Sequence, residues 1–177
     1  MADQNKPLFQ NSPLDISQLP SLNDINFLRL SPSYWRYAVV STILTFAVLA
    51  IPLIVLWLNT EPWIAILVTA IWIFVFIGVL ILTRYQYQVK GYVLRSHDIV
   101  YRQGLFFRRI TTIPFSRLQH CEIHEGPLER FFGLNTLLVY TAGGSSSDLA
   151  IPGLLPDEAG RLRDFILQEM NSNDEEE

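Results

Sequence analysis

Two groups of side chains in this 177-residue chain have the types that carry chemistry. His120, Cys121 and His124 are metal-ligand types within five positions, in a run from Leu118 to His124 that reads as a strand. On a strand His120 and His124 share one face but lie about 13 Å apart, and Cys121 points the other way. One ion cannot be chelated by that set, so no metal site is expected, and Cys121 and Ile123 read as inward-facing core. Glu122, Glu125 and Glu129 are three neighbouring acids, the residue type of general acid–base pairs. No nucleophile motif, phosphate loop or second catalytic cluster accompanies them, and Glu129-Arg130 reads as an orienting or structural ion pair. Gly143-Gly144-Ser145 lacks the Lys-Ser/Thr ending and following helix of a phosphate loop and reads as a hairpin turn. Neither an enzyme activity nor a cofactor is expected.

A third group is basic. Arg102, Arg108, Arg109 and Arg117 are interleaved with Phe106 and Phe107 on what reads as a strand-rich stretch. Two readings stand for it: a solvated strand face, or a surface for anionic lipid headgroups or a partner, where each cation near a charged leaflet contributes about 1 kcal/mol. Phe131 and Phe132 read as core, with an exposed anchor for a partner as the alternative for one of them. The net charge of −4 gives no basis for nucleic-acid binding. The single cysteine rules out an intrachain disulfide and suits a reducing compartment.

The elements that must position these groups begin with two membrane spans. Half of the residues are hydrophobic and only 17% are charged, which suits a chain with membrane segments. Residues 37–58 and 63–82 contain no charge, and each run as a helix is about 30 Å long, enough to cross the hydrocarbon core. Residues 59–62 leave room only for a tight external turn, so the spans form an antiparallel hairpin. Pro52 inside the first span predicts a kink, because it has no N–H for the carbonyl of Val48. Arg29, Arg36, Arg84 and Lys90 flank the outer ends while the turn has no Lys or Arg, so the positive-inside rule puts both termini in the cytoplasm. Neither span carries an ionisable residue, so the hairpin reads as an anchor rather than a transport path. Residues 1–36 read as a cytoplasmic leader, partly disordered or a docking peptide, without the pattern of a cleaved signal.

Residues 83–170 read as one cytoplasmic domain. Candidate strands are residues 85–89, 92–95, 99–102, 106–113, 118–124, 137–141 and 149–151, separated by glycine-marked breaks. Pro127 and Gly133 bracket a one-turn helix. Residues 156–170 close the domain with a helix whose apolar face is Ala159, Leu162, Phe165, Ile166 and Met170. Residues 171–177 read as a solvated acidic tail. The expected fold is therefore a membrane α-helical hairpin plus an α+β domain, a bent antiparallel sheet or partial barrel capped by its C-terminal helix.

One string in this domain is specific. Gly126-Pro127-Leu128-Glu129-Arg130, Gly133-Leu134, Thr136-Leu137, Val139 and Thr141-Ala142-Gly143-Gly144, preceded by Ile113-Pro114 and Arg117-Leu118-Gln119 and followed by Ile151-Pro152-Gly153-Leu154, resembles the bacterial pleckstrin-homology-like (PH-like) domain of the YdbS-like family of small membrane proteins. The resemblance spans roughly residues 30–167 and implies a PH-like fold in the inner membrane, with the motif residues in a structural role. The function expected first is a non-enzymatic interaction or assembly module, acting through strand edges and the spans or as a homo-oligomer, with lipid-headgroup recognition by the arginine face as the alternative. The resemblance adds a related multi-domain membrane protein as partner and a link to envelope stress or membrane-active compounds. Phosphoinositide-binding pleckstrin domains gather basic residues at the first hairpin loop. Here that turn is Ser96-His97-Asp98, so the resemblance does not extend to inositol phosphates.

Overall fold

The computed structural model describes residues 26–142 and 147–174. The leader before residue 26, the Gly143-Gly144 turn and the last three residues of the acidic tail lie outside the described residues.

Ser31 caps the first helix by accepting the Ser33 N–H at 3.3 Å, and Pro32 occupies its first position, where no helical donor is needed. Helix α1 (Pro32–Leu49) is separated from α2 (Ile51–Asn59) by a break at Ala50, two residues before Pro52. Helix α3 (Pro62–Val89) returns antiparallel. Thr42 and Thr83 face each other at 3.5 Å, the Trp57 indole donates to Thr69 at 3.1 Å, and the Phe46 ring packs on Trp72 and Phe76 at 5.5 and 5.0 Å. The expected hairpin is present, with both spans longer than their uncharged runs.

Two expectations for this region are corrected. Residues 85–89, read as a strand from their alternating pattern, are the last turns of α3. Once a long helix exists, each added residue gains a hydrogen bond without a new nucleation cost. The described end of the leader, from residue 26, is also not separate from the domain. Strand β1 (Leu28–Arg29) pairs antiparallel with β2 (Gly91–Leu94), so the chain enters the membrane directly from the edge of the sheet.

Strand β2 continues into β3 (Asp98–Gln103) and β4 (Arg109–Pro114), giving a four-stranded sheet in the order β1-β2-β3-β4. Phe106 and Phe107, expected inside a strand, instead form the tip of the β3–β4 hairpin. Gly104 has φ +93, and a Cβ there would meet the Phe107 carbonyl at 2.0 Å, so the chain turns where only glycine fits. A single 3-10 turn, Phe115–Arg117, leads into β5 (Leu118–His124), which pairs with β6 (Asn135–Thr141) and then β7 (Leu149–Leu154) in a second sheet. Helix α4 (Pro127–Phe131) bridges β5 and β6, and α5 (Pro156–Asp174) covers the β5–β7 sheet. The tail is thus helical as far as Asp174, four residues beyond the expected helix end.

The core lies between the sheets and α5. Tyr92, Ile99, Tyr101 and Ile113 from the first sheet meet Phe115, Leu134, Leu137, Val139, Ile151 and Leu154, and Ala159, Leu162 and Ile166 close it from α5. Cys121 and Ile123 pack against this cluster, half-buried, as their alternation on β5 requires.

Candidate functional site at the membrane-facing side of the domain

The spans and the domain are locked by one aromatic joint. Gly153 on β7, with φ +72, leaves the space in which the Tyr34 ring sits; a Cβ there would lie 2.6 Å from that ring. The Gly153 carbonyl accepts the Ser31 N–H at 3.0 Å. Tyr34 stacks on Tyr37 at 5.7 Å and its hydroxyl accepts from Lys90 Nζ at 2.8 Å, while the Tyr87 hydroxyl donates to the Leu30 carbonyl at 3.3 Å. Helices α1 and α3 therefore hold a set orientation relative to the sheets.

That orientation sets the β3–β4 tip beside the end of α3. At the base of α3, the Val89 carbonyl accepts from Arg102 Nε at 3.2 Å, which brings the end of β3 against the helix. Gln86, Lys90, Gln103, Gly104, Phe107 and Arg109 then line a cleft of about 540 Å³ between α3 and the tip. Gln86 lies only four residues past Leu82, the last position of the uncharged run, or about 6 Å along the helix axis. That rise matches the polar zone of a bilayer, which adds some 5–7 Å on each side of the hydrocarbon core. At the tip, Phe106 and Phe107 are 75% and 92% exposed.

The four arginines of the basic stretch do not form one patch. Arg108 and Arg109 are exposed beside the tip phenylalanines and make no ion pair among the described residues. Arg102 is turned back onto α3, with its guanidinium 4.3 Å from the centroid of the Phe27 ring. Arg117 lies beyond the far end of β4, whose length of about 17 Å separates it from Arg109; it borders Thr141 and Asp148 instead. The first hairpin turn, Ser96-His97-Asp98, also lies at the far end of the sheet from the membrane. It is closed by a paired contact in which Arg95 Nε and a terminal guanidinium nitrogen donate to the Asp98 carboxylate, each at 2.6 Å, which raises the pKa of Arg95.

The Gly126–Gly133 motif builds a second contact with the spans. Glu129 is 8% exposed; its carboxylate accepts the Gly126 N–H at 2.8 Å and the Thr136 hydroxyl at 2.7 Å. It does not pair with Arg130, as the sequence suggested. Arg130 reaches Glu125 instead, at 3.2 Å on the surface, because Glu129 points into the turn and Arg130 away from it. Pro127 starts the helix, Leu128 is half-buried beneath it and Gly133 ends it with φ +61. The turn sets Phe132 edge-on to Tyr37 at 6.3 Å, at the start of the first uncharged run. Its neighbour Phe131, expected in the core, is 81% exposed. One ring fills the joint and adjacent positions on a helical turn face different ways.

The remaining candidates are accounted for locally. His120 stacks on Tyr140 at 4.2 Å and approaches Glu122 at 3.4 Å, with His124 further along the same outer face of β5. Burial raises the Cys121 thiol pKa, with the Arg163 charge opposing it. Gly143 and Gly144 lie outside the described residues. Sequence reasoning missed the role of Lys90, counted only as a topology charge, and the Tyr34–Gly153 joint, whose partners are more than a hundred residues apart.

The architecture defines a class: a membrane helical hairpin with a PH-like domain folded onto its base. The chain belongs to the bacterial PH domain family, whose model matches residues 26–170. Within that class it is YdbS-like. It is similar to the transmembrane protein YdbS of Bacillus subtilis (strain 168), with 29% identity over 135 residues covering 75% of this chain and 83% of the relative. No solved structure matches it.

Proposed function

We propose that this protein is a non-enzymatic platform of the cytoplasmic membrane, with both termini in the cytoplasm, whose PH-like domain recognises anionic headgroups through the β3–β4 tip. The observation that carries this reading is the cleft between α3 and the tip, where Lys90 and Arg109 flank a strongly exposed Phe107 at headgroup depth. Cations meet lipid phosphates there while Phe106 and Phe107 enter the apolar boundary, with Phe131 on the α1 side as a second contact. The acids support a role without catalysis: Glu129 is used in the turn, Glu125 meets Arg130, and Glu122 meets His120 and Tyr140.

Hydrogen exchange of the full chain in nanodiscs tests this. Residues 104–109 should be more protected in discs containing phosphatidylglycerol than in purely zwitterionic ones, and Arg108→Glu with Arg109→Glu should remove the difference. At about 1 kcal/mol per arginine, the pair accounts for roughly a thirtyfold preference. Equal protection in both lipids would refute lipid recognition at the tip.

A second reading, assembly with a related larger membrane protein or with another copy of the chain, is favoured by a different observation. Among the described residues β4 and β5 each pair on one side only, and an open strand edge can accept a strand from another chain. A stoichiometric protein co-purifying in mild detergent, and lost when a proline is placed on the open side of β5, would support this reading. In it the link to envelope stress belongs to the complex.

A further inference from the structure

On another side of α3, at the same depth, the two spans form a groove of about 470 Å³ that the tip does not reach. Its floor is Val39, Leu80 and Ile81, and its upper rim is Trp35, Arg84 and Gln88. From Leu80 to Gln88 it follows α3 for about 12 Å, from the hydrocarbon edge into the headgroup zone. Arg84 is the first charge after the uncharged run. Its guanidinium lies 5.3 Å from the centroid of the half-buried Trp35 ring, which holds the cation at the rim. Among the described residues Arg84 makes no ion pair, and no acidic side chain lines the groove.

An apolar floor below a single steadied cation, at the depth of the phosphates, matches one amphiphile. We propose that this groove is a binding site for one phospholipid of the leaflet on the domain's side, with its phosphate on Arg84 and the upper part of an acyl chain against Val39, Leu80 and Ile81. Gln88 offers a neutral amide to the headgroup oxygens. The lipid fills the seam between α1 and α3 beside the joint that carries the domain. This site is separate from the β3–β4 tip and uses none of its residues.

The test is native mass spectrometry of the delipidated full chain titrated with phosphatidylglycerol in mild detergent. The wild type should saturate a single tight site. Arg84→Gln should weaken it about fivefold, the contribution of one cation beside a phosphate. Val39→Trp, which fills the floor and leaves the cation, should also weaken it, whereas Arg108→Glu with Arg109→Glu should leave it unchanged. That last pair separates this site from the tip: loss of this site there, or equal affinity for wild type and Arg84→Gln, overturns the proposal. If Arg84→Gln does not fold, unchanged binding by Val39→Trp overturns it. Displacement of the lipid by inorganic phosphate alone would make this a simple anion site, and a graded series of lipids indifferent to every variant would make it ordinary annular lipid; either outcome also overturns it.

Discussion

Removing the Glu129 carboxylate should destabilise the domain far more than removing any exposed acid. Glu129→Ala leaves the Gly126 N–H and the buried Thr136 hydroxyl without the acceptor they now share. Hydrogen bonds to a charged group contribute about 1.5–3 kcal/mol each. Water can reach the half-buried Gly126 end, so the two together should cost about 3 kcal/mol. In a domain of this size 1 kcal/mol shifts Tm by roughly 4–8 °C, and the alanine variant should therefore melt more than about 10 °C lower. Glu129→Gln keeps one carbonyl for Gly126 and offers its amide to a rotated Thr136 hydroxyl, so it should lose only about 1 kcal/mol. Thermal unfolding of the full chain in mild detergent, followed by near-ultraviolet circular dichroism, measures all three. A double-mutant cycle with Thr136→Val should give a coupling of at least about 1 kcal/mol, as expected for residues in direct contact. An alanine variant within about 0.5 kcal/mol of wild type, or an additive cycle, would refute the assignment of Glu129 as the brace of this turn.

Gly153→Ala should loosen the joint between spans and domain, because it combines a left-handed backbone with a Cβ 2.6 Å from the Tyr34 ring; the expected loss is about 2–4 kcal/mol. Adding Tyr34→Ala should relieve the clash but not the backbone strain, and full recovery of Tm in the double variant would contradict this account. Stability should also fall at alkaline pH. Burial, with the Glu158 hydrogen bond, raises the hydroxyl pKa of Tyr92 strongly, and burial does the same for Tyr101. Both phenols thus stay protonated in the folded protein where the unfolded chain ionises, so their contribution is complete below about pH 10 and is lost as pH rises through the folded values. Tm measured from pH 8 to 11 should decline less steeply in Tyr92→Phe than in the wild type, and parallel curves would count against the assignment.

Much of the architecture was legible in the residues themselves. A charge-free run long enough to span a bilayer needs no partner to identify it. Pro127 and Gly133 bracket α4 because proline and glycine act on their own backbone. The face of α5 from Ala159 to Ile166 was readable because helical periodicity is local. The same local logic failed where a remote contact decided the outcome. Residues 85–89 alternate like a strand, yet they extend a helix already formed and seat Tyr87 against Leu30. Leu28 and Arg29 carry no strand signal and become one by meeting Gly91.

The candidate site divides in the same way. Sequence by itself determined that the chain has two runs long and apolar enough to cross a membrane, that a PH-like domain follows, and that arginines and phenylalanines are plentiful in its first half. Only the tertiary structure decided which of them lie beside the spans. Arg117 and Arg109 are close in sequence but lie at opposite ends of β4, because an extended strand carries neighbours apart. Lys90 and Arg109 are nineteen positions apart yet border one cleft, because Gly104 turns β4 back toward the helix. Phe131 and Phe132 are adjacent and chemically identical, and the placement of α4 against Tyr37 exposes one and half-buries the other. Depth relative to the membrane belongs to the assembled fold, since it depends on how α1 and α3 are held against the sheets by Tyr34, Tyr87, Lys90 and Gly153.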